Sequence, residues 1–177
     1  MTPNTRMMVQ RDLVKQNMKV SFLDGLIEKI EPGNIYNIIT QKVINPYLFV
    51  LQATKESTIE ELYIVTYAIN QKASKIFFNL MDDGLIKNWT LLVNENMRFR
   101  MKGKEGFLIA EEEKRDNFRI IKKRNHAKIT LIKQKNKRLV ISGSGNYSEN
   151  PKIEQYTVCD DSELYEFHKS WIEDITL

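Results

Sequence analysis

The chain has 177 residues, of which 42% are hydrophobic and 28% charged, and its formal net charge is +4. This length fits one domain with a sizeable core, and the composition excludes collagen-like, low-complexity and wholly disordered chains. One cysteine, Cys159, and two histidines are present. An intrachain disulfide framework and a conventional structural zinc site are therefore excluded.

The first 30 residues are expected to form an arm or a short helix ahead of a domain that spans 31–177. The first twelve, MTPNTRMMVQRD, lack the apolar core of a secretory signal. No apolar stretch approaches the ~20 residues that span a bilayer. We therefore expect a cytoplasmic protein with no membrane partner.

Strands and helices are then predicted to alternate. Residues 34–39 predict a strand after the turn signal Pro32-Gly33, and 46–54 predict a helix. A buried strand, an amphipathic helix and a second strand follow at 59–67, 70–83 and 89–93. A strand, a helix and a strand within about 35 residues form a βαβ unit, which predicts a parallel pair. Three aromatic residues of this unit are expected to lie in the core: Tyr63, Tyr67 and Trp89.

The pattern changes in the second half of the chain. A helix is expected around 107–114, followed by short strands at 118–121, 127–132, 139–142 and 155–159. The last element is a helix over 162–172, with Leu164, Phe167 and Trp171 packed inward. The predicted fold class is α/β, with a mixed β-sheet flanked by helices.

Positive charge is concentrated in one segment. Residues 119–138 hold nine Lys or Arg and no acidic residue, whereas residues 149–177 hold eight acidic residues and two basic ones. A basic segment in an otherwise acidic chain indicates an anionic partner bound at a defined place. For residues 133–138 taken alone, a solvated hairpin is the alternative.

The clearest chemistry lies in His126 and Lys128 and in the Gly-Ser-Gly-Asn run at 143–146. Residues two apart on a strand face the same side, so His126 and Lys128 project together. Antiparallel pairing would carry Ser144 and Asn146 back toward them, and the glycines would let backbone amides approach an anion. Such a set of groups handles phosphate, although ordinary hairpin residues remain the alternative.

His-Ala-Lys at 126–128, Gly-Ser-Gly-Asn at 143–146 and the downstream Glu154 resemble the HKD motif of the phospholipase D superfamily. That motif is His-x-Lys, an Asp, then Gly-Ser-x-Asn and a later acidic residue. The order of elements from residue 35 to 172 is also similar to the phospholipase D-like fold. The chain departs from the motif in two ways: Lys133 stands at the Asp position, and the stretch between the two halves is longer than usual.

The resemblance implies a phosphodiesterase that uses no metal and no cofactor. In that superfamily two HKD motifs form one site, where one His forms a phosphohistidine and the other protonates the leaving oxygen. This chain has one HKD motif, so a homodimer that shares the site is expected. By the same resemblance, Lys128, Asn146 and Ser144 would hold the nonbridging oxygens, and Glu154 would orient the imidazole of His126.

A nuclease or DNA-end-processing enzyme is the first functional hypothesis, because the basic segment flanks the motif. The residues expected to contact nucleic acid, with DNA favoured, are Arg119, Lys122, Lys123, Arg124, Lys135, Lys137 and Arg138. The alternative is a catalytically degenerate module that binds nucleic acid or a protein, which Lys133 favours. A phospholipase or phosphatidyl transferase is disfavoured, because such members usually carry two motifs in one chain.

Overall fold

The computed structural model describes residues 14–16, 27, 29–40, 45–96, 105–148 and 153–175. These residues contain one mixed β-sheet with helices on both faces. The strands are β1 (Val14–Gln16), β2 (Ile35–Thr40), β3 (Glu61–Thr66), β4 (Trp89–Asn94), β5 (Phe118–Lys123), β6 (Ile129–Lys133), β7 (Arg138–Gly143) and β8 (Glu154–Asp160). The helices are α1 (Tyr47–Glu56), α2 (Gln71–Asp82), α3 (Glu105–Glu113) and α4 (Ser162–Asp174).

The strand order is β1-β2-β8-β7-β6-β3-β4-β5. Strands β3, β4 and β5 run parallel to one another, and β6 joins the other side of β3 in the antiparallel sense. Strands β6, β7, β8 and β2 continue as antiparallel neighbours. The predicted α/β class is confirmed, and the predicted βαβ unit is β3–α2–β4.

The two faces of the sheet have separate apolar cores. Helices α1, α2 and α3 cover one face, where Trp89 packs against Phe77, Phe78 and Phe118. Helix α4 covers part of the other face. Strands β3 and β4 are buried on both faces, which explains their nearly continuous apolar sequences.

Helix α4 packs differently from the prediction. Its buried residues are Tyr165 and Ile172, whereas Phe167 is 63% exposed. At about 100° per residue, Phe167 lies about 160° around the helix from Tyr165 and so points away from the sheet. The inward packing predicted for Phe167 is wrong.

The N-terminal segment contributes to the fold wherever it is described. Val14–Gln16 forms β1, which pairs in parallel with β2. Ile27 and Ile30 are buried in the same core as Trp89. The side chains of Ile27 and Ile30 therefore add to the first core. The rest of residues 1–30 lies outside the described part of the chain.

Lys133, at the motif's Asp position, belongs to an ion-pair network between β3, β6 and α4. Glu61 on β3 faces Lys133 in the register, and its Oε1 lies 2.6 Å from Lys133 Nζ. Lys169 of α4 binds the other oxygen of Glu61 at 2.6 Å. Burial would raise the pKa of Glu61, but the bonds from the two lysines outweigh burial and lower it. Lys133 and Lys169 therefore share one carboxylate, which links β6, β3 and α4.

Replacing Glu61 with Gln should lower the free energy of unfolding by about 2 kcal/mol at neutral pH, because two half-buried ammonium groups lose their charged acceptor. The pKa of Glu61 is lowered from its ordinary 4.5. The stabilisation is therefore complete above that pH and disappears as the pH falls through the lower folded-state value. Denaturant titrations of both proteins at several pH values measure this difference.

Asp82→Asn is the matched control, since Asp82 pairs with Arg115 at the surface and its side chain is 55% exposed. This variant should leave the stability close to that of the wild type, because water screens a surface ion pair. Equal effects of Glu61→Gln and Asp82→Asn would contradict a stabilising role for the network.

Candidate active site at the carboxyl ends of the parallel strands

The motif residues lie at one end of the sheet. The strand order requires residues 124–128 to pass from β5 over the ends of β4 and β3 to reach β6. His126 is in the middle of this crossing. Because β3, β4 and β5 are parallel, their carboxyl ends meet here, at the edge where α/β sheets commonly bind ligands.

His126 and Lys128 contact each other. Lys128 Nζ lies 3.1 Å from His126 Nδ1 and 2.6 Å from the carbonyl oxygen of His126. His126 is exposed and Lys128 is half-buried. Burial lowers the pKa of Lys128, and the nearby charge of Glu154 opposes that shift. The ammonium thus contacts His126 and lies within electrostatic range of the Glu154 carboxylate.

Ser144 lies beside these residues through strand pairing, because the N–H of Gly143 donates to the carbonyl of Lys128 at 3.2 Å. The hydroxyl of Ser144 donates a short hydrogen bond to Glu154 Oε2 and accepts one from the N–H of Gln155 at 3.0 Å. Glu154 is buried. The resemblance implies that Glu154 orients the imidazole of His126. In the structure Glu154 accepts a hydrogen bond from Ser144, and Nδ1 of His126 contacts Lys128.

Asn146 connects the end of β7 to the end of β3. Its Oδ1 accepts hydrogen bonds from the N–H of Tyr67 at 3.2 Å and from the hydroxyl of Thr66 at 3.3 Å. Its Nδ2 donates to none of the described residues. The carboxamide can therefore hold the strand ends with its oxygen and offer its N–H groups to a ligand.

The two glycines of the motif are explained by Tyr156. A Cβ on Gly145 would overlap the hydroxyl of Tyr156, and one on Gly143 would overlap the carbonyl oxygen of Gln155 and lie 2.6 Å from Tyr156 Cδ1. Neither glycine has a positive φ. The glycines make room for a buried ring, which differs from the expectation that they bring amides to an anion.

A small cavity lies behind the glycines, against Lys128, Thr130 and Tyr147. Its volume is about 10 Å³, which is the space of one water molecule. A phosphodiester does not fit inside it. The imidazole of His126 lies on the exposed, outer side of the motif.

The predicted nucleic-acid contacts fall into two separate groups. Lys122, Lys123 and Arg124 are exposed at the same end of the sheet as His126, and Arg124 lies 3.3 Å from Glu95. The other four lie toward the opposite end of the sheet: Arg119 is roughly 13 Å from Lys123 along β5 at about 3.3 Å per residue, and Lys135, Lys137 and Arg138 lie at the turn between β6 and β7.

The hairpin bases at that opposite end serve the fold. Lys137 Nζ donates to the carbonyls of Ile27 and Ile30, and Arg138 donates to the carbonyl of Gln134 at 2.6 Å. Gln134 in turn donates from Nε2 to the carbonyl of Ala53 in α1 at 2.7 Å. The extra length between the two halves of the motif therefore fastens α1 and the N-terminal segment to the sheet.

Sequence reasoning missed several residues around His126. Tyr67 was expected in the core, but it is half-buried at the end of β3 and its ring centre lies 5.5 Å from that of His126. Asn94 and Asn125 connect the crossing segment to the strands. The signal was a polar or aromatic residue at or within two residues of the end of each parallel strand, and it becomes informative once the strand order is known.

Metal-ligating side chains do not cluster in the described residues: no group of three His, Cys, Asp or Glu is placed to hold an ion. Within the same part of the chain, no helix is long and apolar enough to cross a membrane.

The sequence matches no family model and no curated protein. Similar solved structures include a polyphosphate kinase from Porphyromonas gingivalis, with a TM-score of 0.58, 14% identity, and coverage of 90% of this chain and 29% of that chain. They also include a phosphatidylserine synthase from Haemophilus influenzae Rd KW20, with a TM-score of 0.51, 9% identity, and coverage of 80% and 37%. Both are phospholipase D-superfamily folds.

A third similar structure is TrmBL2, an archaeal chromatin protein with a novel mode of DNA binding. Its TM-score is 0.52 at 13% identity, over 88% of this chain and 56% of that chain. The chain thus spans about half or less of the length of each of these proteins. At such identities the similarity concerns the fold alone, a mixed α/β sheet flanked by helices.

Proposed function

We propose that the protein is a metal-independent phosphodiesterase that cleaves nucleic acid through His126, in a site shared by two subunits. The observation that carries the proposal is the grouping of His126, Lys128 and the Ser144–Glu154 pair at the carboxyl ends of the parallel strands. An imidazole, an ammonium and a buried carboxylate are sufficient for phosphoryl transfer without a metal.

The reaction takes two displacements. His126 Nε2 of one subunit attacks phosphorus, an N–P bond forms, and the P–O bond to the leaving group breaks. The leaving oxygen takes a proton from the imidazole of the second subunit. That imidazole then removes a proton from water, the water oxygen attacks phosphorus, and the N–P bond breaks. One HKD motif per chain supplies one imidazole, so a two-fold dimer supplies both.

Lys128 controls which nitrogen of His126 is available. An ammonium that donates to Nδ1 leaves the imidazole proton on Nε2, and a protonated Nε2 cannot attack phosphorus. A bound phosphate attracts Lys128 to a nonbridging oxygen and leaves Nδ1 to take the proton. Substrate binding would thus prepare the nucleophile and place the ammonium where negative charge develops.

Ser144 acts on Glu154 and not on phosphate in this account. Its single hydroxyl proton is committed to the carboxylate. The donors left for the nonbridging oxygens are Lys128 and the Nδ2 of Asn146. Glu154 holds negative charge near Lys128, which favours the ammonium form that phosphate binding requires.

His126→Asn should lower turnover of bis-p-nitrophenyl phosphate by at least about 10³-fold, because a carboxamide cannot form the phosphoramidate or transfer the proton. The measurement is the initial rate in the presence of EDTA. His168→Asn is the matched control, because His168 lies on α4 and bonds to Trp171. It should keep wild-type turnover, and both variants should sediment as the wild-type dimer.

Wild-type turnover by His126→Asn would exclude His126 as the nucleophile. Loss of activity on chelation, with recovery on added magnesium, would indicate a metal-dependent enzyme instead.

A binding module without turnover is the second candidate. The bond between Lys128 and Nδ1 favours it, because an ammonium and a protonated Nε2 can both donate to an anion while Nε2 cannot attack phosphorus. The fold similarity to TrmBL2, whose structure is described as showing a mode of DNA binding, is consistent with this candidate. Both candidates place nucleic acid against the basic residues beside His126.

The double variant Lys123→Ala/Arg124→Ala should flatten the dependence of log K on log salt concentration by about two units, since each lost phosphate contact removes about 0.9 units. Arg119→Ala/Lys135→Ala removes the same residue types and the same charge from the opposite end, and it should leave the slope unchanged. Equilibrium titrations of labelled duplex DNA at several salt concentrations give both slopes. Equal slopes for the two double variants would contradict binding at the His126 end.

A further inference from the structure

The segment that carries His126 is held by side chains from two of the strands it crosses. Asn94, the last residue of β4, donates from Nδ2 to the carbonyl of Asn125 at 2.8 Å. Asn125 donates from its own Nδ2 to the carbonyl of Thr66, the last residue of β3, at 3.1 Å. The crossing is therefore fastened once at each parallel strand that it passes.

The side chain of Asn125 also fixes the backbone around His126. Its Oδ1 accepts a hydrogen bond from the N–H of Ala127 at 2.8 Å. A side-chain oxygen bonded to the N–H two residues later forms an Asx-turn, with His126 as its middle residue. The peptide groups on both sides of His126 are thus held, and the direction of its Cα–Cβ bond is set.

The crossing needs such support because of its length. Moving from β5 to β6 covers three strand spacings, roughly 14 Å. The six Cα–Cα steps from Lys123 to Ile129 reach roughly 20 Å when extended. The segment can form no helix or strand of its own over that distance. Its geometry then depends on the bonds it makes to the strand ends below it.

Asn94 is suited to this role by its burial and by its complete hydrogen bonding. It is 8% exposed, and its Oδ1 accepts from the N–H of Asn96 at 2.9 Å while its Nδ2 serves Asn125. An aspartate would keep the acceptor but lose the donor. The amide of Asn94 therefore serves the crossing segment, through its bond to Asn125, and not β4 itself.

We infer that Asn125, anchored by Asn94 and Thr66, is a positioning residue that sets the orientation of the His126 imidazole. The inference rests on the proposed function for its kinetic consequence, although the positioning itself does not depend on turnover. Asn125 touches no reacting atom in this account. A displacement of the imidazole by about 1 Å can lower the rate about 10²-fold.

Asn125→Ala removes both side-chain bonds, and we expect kcat toward bis-p-nitrophenyl phosphate to fall about 10–100-fold with KM within threefold of wild type. Asn125→Ser should recover part of the loss, because a hydroxyl can accept the bond from Ala127, although more weakly. Asn117→Ala is the matched control. Asn117 makes the same kind of bond, to the carbonyl of Lys87 at 2.7 Å, at the opposite end of the sheet.

The second readout needs no activity. The chain has two histidines, so imidazole NMR signals of His126 can be followed with His168 as an internal reference. In Asn125→Ala the His126 signals should move toward those of free histidine while the His168 signals stay in place. Asn117→Ala should leave both sets unchanged.

Unchanged His126 signals in Asn125→Ala would overturn the inference, and so would a fall in kcat that Asn117→Ala matches. If the wild-type protein turns over no phosphodiester but the His126 signals still move, the proposed function fails and the positioning role stands. If the wild-type protein is active and Asn125→Ala keeps its kcat, the function stands and the positioning role fails.

Discussion

Residues 124–128 carry the chain from the outer strand β5, over the ends of β4 and β3, to the inner strand β6. The positions of His126 and Lys128 depend on this crossing. It brings His126 over the carboxyl ends of three parallel strands, and it brings Lys128 next to the start of β6. Pairing of β6 with β7, and of β7 with β8, then places Ser144 and Glu154 beside them.

The departures from the HKD motif have structural explanations that lie away from the site. Lys133 forms an ion pair with Glu61 at the end of β6 opposite to Lys128. The longer hairpin supplies Gln134 and Lys137, which donate to backbone carbonyls of α1 and of the N-terminal segment. Neither departure removes a group from the surroundings of His126. They are therefore compatible with both catalysis and binding.

Much of the fold could be predicted because its signals are local. The apolar runs of β3 and β4 and the amphipathic pattern of α2 predicted the parallel unit correctly. Helix α2 ends at Asp82, two residues before Gly84, whose φ is 72°. The outward position of Phe167 could not be predicted, because it depends on how α4 is rotated against the sheet. The pairing of β1 with β2 also depends on contacts between distant parts of the chain.

The candidate site also has some features that follow from local sequence and others that depend on contacts between distant residues. The proximity of His126 to Lys128 follows from their spacing along the chain. The bond of Glu154 to Ser144, the fit of Tyr156 against the glycines, and the contact of Tyr67 with His126 all join residues of different elements. Such contacts appear only when the strand order and register are known. A motif read from sequence therefore identified the chemical groups but not their hydrogen-bond partners.

The central claim is that His126 becomes covalently attached to phosphorus, and the most direct measurement is to trap that intermediate. Turnover of a phosphodiester would be stopped with base, under which a phosphoramidate persists, and the digested protein would be analysed by mass spectrometry. The account predicts one adduct on the peptide that contains His126, a phosphoryl group that still carries the ester that was not displaced, and none on the peptide that contains His168. Turnover without any adduct on His126, under conditions that preserve phosphohistidine, would contradict it.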